Sequence, residues 1–268
     1  MELKLFKALW GMTGSLEEQI ERIAEAGYDG VECLVPDKED VPRFRRLLER
    51  YGLDYIAMMY TDGDHAATFR DRLNRACELE PLKVNSHSAK DWMPFDEQRA
   101  FFEQAMKAER DVPIPVAHET HRNRATYSAW STAALLKEFP EMKLTADFSH
   151  WVVVSETLLE DQRANVELAI SRTIHIHGRV GFRHGPQVPD PAAPEYAQER
   201  EAHEAWWDEI CRSHYARGER IVTFDPEFGP PKYLHTLPYT GQPLADLWQV
   251  CKWMGDAYRD RFRRIRWE

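Results

Sequence analysis

The sequence predicts an α/β fold, a single-domain (β/α)8 barrel that spans residues 1–268. Short apolar runs alternate with longer amphipathic stretches along the whole chain, and this pattern predicts eight strands and eight helices in turn. Strict alternation is typical of parallel strands joined by helical crossovers, and eight such units close readily into a barrel. The length of 268 residues also fits, because barrels of this class need about 250 residues.

Capping residues and glycines mark the strand–helix units of the first half. Ser15 and Glu18 have the spacing of a capping box, and Gly27 ends the helix that they begin. The predicted strands of this half are Lys4–Trp10, Gly30–Val35, Asp54–Tyr60 and Leu82–Ser86. The predicted helices are Ser15–Ala26, Asp40–Tyr51, His65–Glu78 and Phe95–Glu109.

The second half of the chain repeats this order. Its predicted strands are Pro115–Glu119, Lys143–Asp147, Thr173–His177 and Arg220–Asp225. Its predicted helices are Ser128–Phe139, Glu156–Ala169, Pro194–Ala216 and Leu244–Phe262. A doubly wound open sheet is the structural alternative, but no Gly-rich GxGxxG turn follows the first strand, which disfavours it.

The composition excludes several classes of function. The formal net charge is −10, and outside the C-terminal helix no run of Lys and Arg forms the basic face of a nucleic-acid binder. The 4 cysteines form no CxxC pair, which disfavours a zinc knuckle and suits a reducing cytoplasm. The N-terminus lacks the apolar core of a signal peptide, and no run reaches the roughly 18 apolar residues of a membrane span. We therefore expect a cytoplasmic protein with no nucleic-acid and no membrane partner.

Four polar clusters follow the last four predicted strands. They are His118–His121, Asp147–His150, His175–Arg179 and Asp225–Gly229. In a barrel these strand ends lie side by side on one face, where active sites form. Taken singly, each cluster has an ordinary explanation, such as a helix cap or a buried histidine. Their shared position at equivalent strand ends favours a common site.

The clusters bring three carboxylates, Glu119, Asp147 and Glu227, close to an imidazole of strand seven. Like charges packed together raise pKa values or recruit a cation, and a divalent metal ion resolves the conflict. Oxygen ligands with one imidazole suit Mn²⁺ or Mg²⁺, with Co²⁺ or Zn²⁺ as alternatives. The lack of thiolates argues against a structural zinc site.

The same segments resemble a known family. GYDGVE at Gly27–Glu32 and the runs HETH, ADFSHW, HIHGR and DPEFGP are similar to the sugar phosphate isomerase/epimerase family of xylose isomerase-like TIM barrels. The resemblance extends from strand two to strand eight. Epimerases of that family hold one metal ion with a Glu, an Asp, a His and a Glu from strands five to eight. The resemblance implies that Glu119, Asp147, His177 and Glu227 hold one divalent metal ion here.

The resemblance also implies a reaction. We expect a divalent-metal-dependent isomerase or epimerase of a small sugar or keto-sugar, acting by proton abstraction through a metal-stabilised enediolate. A metal chelated by a hydroxyketone polarises the carbonyl and acidifies the adjacent C–H. In the epimerases the strand-five and strand-eight glutamates remove and return the proton. Glu119 and Glu227 are therefore the expected catalytic residues.

Four further residues are expected to bind substrate oxygens. His150 resembles a substrate-contacting residue of the family, and Arg183 stands six residues beyond His177, as in the epimerase pattern. His87 and Glu32 complete this set. The long loop Gly178–Ala193 is expected to fold over the substrate, because loops of this length are often functional lids. Aromatic candidates for stacking on a sugar face are Trp10, Trp92, Trp151 and Phe228.

The sequence leaves three alternative functions open. A metal-dependent keto-sugar or inosose dehydratase would begin with the same proton abstraction and then expel a hydroxyl. Abasic-site endonucleases share the ligand set but need a further Asp-x-His pair, where this sequence has GPQVPDP. A non-catalytic sugar-binding barrel is disfavoured by the presence of both Glu119 and Glu227.

The expected partner is a small-molecule sugar substrate. We expect it to be unphosphorylated, because no Gly-rich phosphate loop accompanies strands seven and eight. The sequence does not decide between a monomer and a homo-oligomer, and it does not name the substrate or the native metal.

Overall fold

The computed structural model describes residues 1–267 and contains a closed barrel of eight parallel strands. Neighbours in the chain are neighbours in the barrel, and β8 closes it by pairing with β1, with Leu5 opposite Phe224. The strands are β1 (Glu2–Ala8), β2 (Gly30–Leu34), β3 (Asp54–Tyr60), β4 (Lys83–His87), β5 (Val116–Glu119), β6 (Leu144–Ala146), β7 (Thr173–His177) and β8 (Ile221–Asp225). The predicted TIM barrel is confirmed.

Residues 1–267 contain nine α-helices, which surround the barrel. They are α1 (Leu16–Glu25), α2 (Val41–Tyr51), α3 (His65–Cys77), α4 (Phe95–Arg110), α5 (Ala129–Glu138), α6 (Ser149–Ser155), α7 (Arg163–Arg172), α8 (Ala197–Ala216) and α9 (Leu247–Phe262). The capping box of Ser15 and Glu18 is present at the start of α1. Within the described residues, every helix is too short or too polar to cross a membrane.

The region after β6 differs from the prediction. A single helix over Glu156–Ala169 is wrong, because Glu156 has a left-handed backbone with φ 54° and ends a short helix, α6. Leu159 is also left-handed, with φ 62°, and α7 begins only at Arg163. The short helix α6 carries the polar cluster that follows β6, so this difference places functional residues on a helix rather than on a loop.

Most other predicted boundaries shift by one to three residues. The first strand ends at Ala8, which leaves Trp10 in the turn that follows it. The last helix begins at Leu247 rather than Leu244, because the side chain of Asp246 accepts a hydrogen bond from the Gln249 backbone N–H at 2.9 Å. This is the usual N-cap arrangement, and it sets the start of the helix.

The inside of the barrel is polar. Lys83 of β4 donates a hydrogen bond to the Thr223 hydroxyl of β8 at 2.9 Å, and Glu32 of β2 lies 2.9 Å from His175 Nε2 of β7. These contacts join strands that are not neighbours, so the side chains lie within the barrel. The apolar core instead fills the space between the strands and the helices, where residues such as Phe44 and Phe102 are fully buried. The polar interior of the barrel is continuous with the polar clusters at the strand ends.

One close approach fixes the ends of β7 and β8. A Cβ atom on Gly178 would lie 2.0 Å from Phe224 Cζ, so only glycine fits there. The Phe224 ring is itself held by stacking on Tyr258, with centroids 4.4 Å apart, and by an edge contact with Trp207 at 5.1 Å. Gly178 follows His177, so this packing also sets the position of that histidine.

We predict that Gly178→Ala lowers the free energy of unfolding by about 1–3 kcal/mol, the usual cost of overpacking. The added methyl group meets the Phe224 ring, which cannot move because Tyr258 and Trp207 hold it. Urea denaturation measures the change. In a Phe224→Leu background the same substitution should cost clearly less, because the clashing ring is gone. Equal costs in both backgrounds would contradict this account of the glycine.

Candidate functional site

A cavity of about 420 Å³ opens at the carboxyl ends of the strands. One part of its lining consists of ionisable side chains: Glu32, His87, Glu119, His121, His177, Arg179, Asp225 and Glu227. The other part is apolar and comes from β1, β2, β3 and the segment near Tyr233. The volume lies within the range of roughly 300–1,000 Å³ that is typical of small-molecule sites.

The four predicted metal ligands form one cluster, of which Glu119, His177 and Glu227 line the cavity and Asp147 is buried beside them. Glu119 and His177 end β5 and β7, Asp147 directly follows β6, and Glu227 lies just beyond β8. Glu119, Asp147 and His177 each offer a ligand atom within 4.8 Å of the others. Glu227 joins them through its Oε2 atom, which lies 3.0 Å from His177 Nδ1. Closure of the barrel therefore brings together residues that are far apart in the sequence.

Two buried atoms face each other at the centre of this cluster. His177 Nδ1 and Glu227 Oε2 lie 3.0 Å apart, but neither makes an aligned hydrogen bond among the described residues. Buried polar atoms are normally hydrogen-bonded, so a nitrogen and an oxygen that meet without alignment fit a shared cation. Asp147 contributes its Oδ2 atom to the cluster. Its other oxygen, Oδ1, accepts a hydrogen bond from the Ser149 backbone N–H at 3.1 Å.

The pKa shifts of the cluster also indicate a site for a cation. Burial raises the pKa of Asp147 to about 7, and nearby Glu227 and Glu119 add to the effect, although Arg179 opposes it. Burial by itself lowers the pKa of His177, but Glu32, Glu119 and Glu227 outweigh it and raise that pKa well above its usual value. The cluster draws protons because it holds excess negative charge. The donor set therefore fits a divalent metal ion.

Arg179 is a further candidate residue, which the sequence analysis did not assign to the site. It is 1% exposed; its Nε donates to Asp147 Oδ2 at 3.0 Å, and its Nη2 pairs with Glu227. The guanidinium also lies 4.5 Å from the centre of the Tyr233 ring. The signal for it was present, because His175, His177 and Arg179 follow one another at intervals of two, the period of one strand face.

Arg183 lies apart from this cluster. Phe182 and Gly185 exchange backbone hydrogen bonds of 2.9 and 3.1 Å, and this tight turn places Arg183 at an exposed tip. Further along the loop, Gln187 accepts from the Gly229 backbone N–H at 2.6 Å, and this bond ties the loop to the segment that carries Glu227. Of the two arginines, Arg179 lines the cavity and Arg183 does not.

Glu32 lies deeper in the barrel than the cluster and orients its histidine. Its two carboxylate oxygens lie 2.9 Å from His175 Nε2 and 3.1 Å from His177 Nε2. The pairing at Nε2 directs the opposite nitrogen of His177, Nδ1, towards Glu227. Asn85, also missed from the sequence, donates to Glu32 at 2.9 Å and to Glu119 at 2.8 Å and so links the two carboxylates. A carboxylate behind a ligating imidazole is a common way to orient it.

The other predicted substrate-binding histidines reach the cluster. His87 Nε2 lies 2.7 Å from Glu119 Oε2. His150 is fully buried, its Nε2 lies 3.4 Å from Asp147 Oδ2, and neither ring nitrogen has an aligned hydrogen-bond partner in the described part of the chain. Burial lowers the pKa of His150 well below its usual value, so the ring is neutral. A neutral, unpaired imidazole can both donate to and accept from a ligand.

The four aromatic candidates have different positions. Trp10 lines the cavity. Trp151 is buried and donates its indole N–H to the Thr126 carbonyl at 2.9 Å, and Phe228 is buried in the core. Trp92 is 72% exposed and does not belong to the cavity lining. Of the four, Trp10 alone borders the cluster.

Comparison with known proteins identifies similar sequences and folds. The sequence profile of the family described as "Xylose isomerase-like TIM barrel" matches residues 20–186, which is more than half of the chain. No curated protein matches the sequence.

Three solved structures share the fold. A D-allulose 3-epimerase from Methylomonas sp. in complex with D-allulose is 17% identical, with a TM-score of 0.61 over 99% of this chain and 98% of that chain. A probable 3-DHS dehydratase from Bacillus anthracis is 15% identical, with a TM-score of 0.58 over 96% and 99%. A xylose isomerase-like TIM barrel protein from Mycobacterium smegmatis in complex with magnesium is 12% identical, with a TM-score of 0.61 over 97% and 95%.

We predict that Glu32→Gln destabilises the barrel by about 3–5 kcal/mol, the usual cost of breaking a buried ionic pair. A glutamine offers one acceptor oxygen, so it cannot accept from both His175 and His177. Glu141→Gln is the matched control, because Glu141 pairs with Arg110 at the exposed surface, where such pairs contribute about 0–1 kcal/mol. Urea denaturation of both variants tests the difference. Similar losses in the two proteins would mean that Glu32 does not hold the histidines.

Proposed function

Since the chain belongs to the xylose isomerase-like TIM barrel family, we propose that it is a divalent-metal-dependent isomerase or epimerase of a small sugar or keto-sugar. The observation that carries the proposal is the convergence of Glu119, Asp147, His177 and Glu227 in one cluster, three members of which line the cavity. The likeness of the barrel to that of a D-allulose 3-epimerase is consistent with it.

The residues that would hold the ion are the four of the cluster. His177 Nδ1 and Glu227 Oε2 offer one ligand atom each, and Asp147 and Glu119 offer carboxylate oxygens. Three carboxylates with one imidazole favour Mn²⁺ or Mg²⁺ over softer metals. When bound, the ion would supply positive charge beside the substrate carbonyl and make the adjacent C–H more acidic.

Glu119 and Glu227 are proposed to transfer the proton. Both approach the same atom, since Glu119 Oε2 lies 3.5 Å and Glu227 Oε2 lies 3.0 Å from His177 Nδ1. A substrate carbon held near this nitrogen would lie next to both carboxylates. One carboxylate removes the proton from one face of the carbon, and the other returns a proton to the opposite face.

The protonation states of both residues suit a base. Burial would raise the pKa of Glu227, but Arg179 and His177 outweigh it and hold that pKa at about 2. Burial likewise opposes ionisation of Glu119, yet His87 and His177 lower its pKa well below the usual value. Both groups are therefore ionised at neutral pH, which is the form that a base must have, although a pKa this low makes a weaker base than one near neutral.

Substrate oxygens would be bound by the remaining polar groups of the cavity. His150 has two ring nitrogens without aligned partners, and His87 borders the opening beside Glu119. Arg179 serves by positioning Asp147 and Glu227, since its Nε and Nη2 are already engaged with those carboxylates. Glu32 serves by orienting His177, since both of its oxygens are already engaged.

A dehydratase is the second candidate, and Asp225 favours it. This residue lines the cavity, and neither of its carboxyl oxygens has a hydrogen-bond partner among the described residues. Burial raises the pKa of Asp225 to about 8, so the group is protonated at neutral pH. A protonated carboxyl group near the substrate is the acid that a departing hydroxyl needs.

We predict that one divalent ion binds per chain and that the pair of substitutions Glu119→Gln and Asp147→Asn abolishes this binding. Each substitution replaces an anionic ligand by a neutral amide, which holds Mn²⁺ or Mg²⁺ poorly. Elemental analysis after equilibration with Mn²⁺ measures the occupancy, and Glu141→Gln serves as the control. Undiminished metal in the double variant would show that the ion is held elsewhere.

We predict that Glu119→Gln and Glu227→Gln each slow substrate proton exchange by about 10²-fold or more, since general acid–base catalysis contributes at least that much. A screen of ketoses and keto-inositols in D₂O, followed by NMR, measures the exchange. The two variants should lose exchange on opposite faces of the carbon. Release of water from the substrate would instead identify the dehydratase.

The two arginines provide a matched control for the same assay. Arg179→Gln should weaken exchange, whereas Arg183→Gln should leave it unchanged, because only Arg179 reaches the cavity. Normal turnover in both glutamate variants with metal bound would refute the two-carboxylate mechanism.

A further inference from the structure

The side of the cavity that faces β1, β2 and β3 is apolar. Its side chains follow or end these three strands and form what we call the apolar wall: Leu9, Trp10, Cys33, Leu34, Met58 and Tyr60. The ionisable side chains come largely from β4 to β8, on the opposite side. The cavity is therefore divided into a reactive half and an apolar half.

The apolar wall presents large hydrophobic groups to solvent. Trp10 is 42% exposed, Leu34 is 50% exposed and Tyr60 is 39% exposed. Single exposed hydrophobic residues are ordinary on a protein surface, but several together at the mouth of a cavity mark a binding surface. Within residues 1–267, these three side chains therefore remain partly exposed to solvent.

The strand register joins the apolar wall to the reactive half. Glu32 and Leu34 are two residues apart on β2, so their side chains emerge on the same face, with Leu34 nearer the opening. Leu34 pairs with Met58 on β3, and Tyr60 pairs with His87 on β4. One molecule seated on the reactive residues would extend along this face towards the solvent.

Packing keeps the aromatic groups of the wall in place. The Arg72 guanidinium lies 4.0 Å from the centre of the Tyr60 ring. The Trp10 ring makes an edge contact with Tyr233, with centroids 5.2 Å apart, and it fills the space above Gly229. The wall is thus a fixed surface that suits a flat, apolar partner.

A sugar that is hydroxylated along its whole length fits this wall poorly. Each hydroxyl taken out of water needs a hydrogen-bond partner, and an unpaired one is costly. The side chains of the wall offer few polar groups, chiefly the Tyr60 hydroxyl and the Trp10 indole N–H. The hydroxyl-binding groups lie in the other half of the cavity, with His87, Arg179 and Glu119.

We propose that the substrate is amphipathic, with a hydroxyketone head at the reactive residues and an aromatic substituent that lies against Trp10, Leu34 and Tyr60. This rests on the proposed function for the head and adds the chemical class of the rest of the molecule. The cavity of about 420 Å³ has the size of sites that bind drug-sized ligands. It therefore has room for an aromatic ring on the apolar wall in addition to the hydroxyketone head.

Binding of two probes tests the proposal. Hydroxyacetone carries the head alone, and 1-hydroxy-4-phenyl-2-butanone carries the head and a phenyl group. Calorimetry on the Mn²⁺-saturated protein should show about ten- to a hundredfold tighter binding of the phenyl probe, the usual effect of burying a group of that size. Equal affinities for the two probes would overturn the proposal.

Two asparagine variants assign the effect to the apolar wall. Leu34→Asn should weaken binding of the phenyl probe by about three- to tenfold and leave hydroxyacetone unaffected, since less apolar area is buried. Leu82→Asn is the matched control, because Leu82 is 37% exposed and borders a different surface cavity. Leu34 is half exposed, so the variant should fold, and circular dichroism checks this. Unchanged phenyl-probe affinity in Leu34→Asn would also overturn the proposal.

The outcome separates this inference from the proposed function. Proton exchange in D₂O is recorded on both probes with the same protein. The phenyl probe could bind tightly through Leu34 and show no proton exchange. That result would support the apolar subsite and contradict the isomerase assignment. Proton exchange together with equal binding of both probes would support the isomerase assignment and rule out the apolar subsite.

Discussion

Negative charge buried at the mouth of the barrel is the constraint on which the site depends. Glu32, Glu119, Asp147 and Glu227 are each at most 7% exposed. Burying that many carboxylates is costly unless each is paired, and the chain pairs them with His177 and Arg179 and through amide and hydroxyl donors. The pairing remains incomplete at His177 Nδ1 and Glu227 Oε2, where a metal ion would complete it.

The polar interior of the barrel explains how this charge is kept in place. Glu32 receives hydrogen bonds from β4 and β7, so strands on different sides of the barrel are joined through one carboxylate. A network of this kind holds its members in one arrangement when all of them are satisfied. The orientation of His177 is therefore set from below, by Glu32, before any ligand arrives. Among these strands β2 also carries an apolar residue, Leu34, at its outer end, and β1 and β3 supply the rest of the apolar half of the cavity.

The sequence predicted the fold and the four residues that meet in the cluster, because both depend on regular features. Strand–helix alternation repeats along the chain, and each cluster lies at the end of a strand. The features that the sequence did not show depend on contacts across the barrel or on local turns. Asn85 was missed, and Glu32 was predicted as a substrate-binding residue, but both act through partners on other strands, which no local pattern shows. Arg183 has the expected spacing, but the turn between Phe182 and Gly185 directs it outwards.

The central claim is that one divalent ion is bound with a single imidazole ligand, His177. Pulsed electron paramagnetic resonance of the Mn²⁺-loaded protein, grown with ¹⁵N-labelled histidine, measures this directly through the coupling of the ion to imidazole nitrogen. The account predicts one Mn²⁺ species coupled to one directly bound histidine nitrogen, with the coupling lost in His177→Gln. Two or more bound imidazoles, or a coupling that persists in His177→Gln, would contradict it.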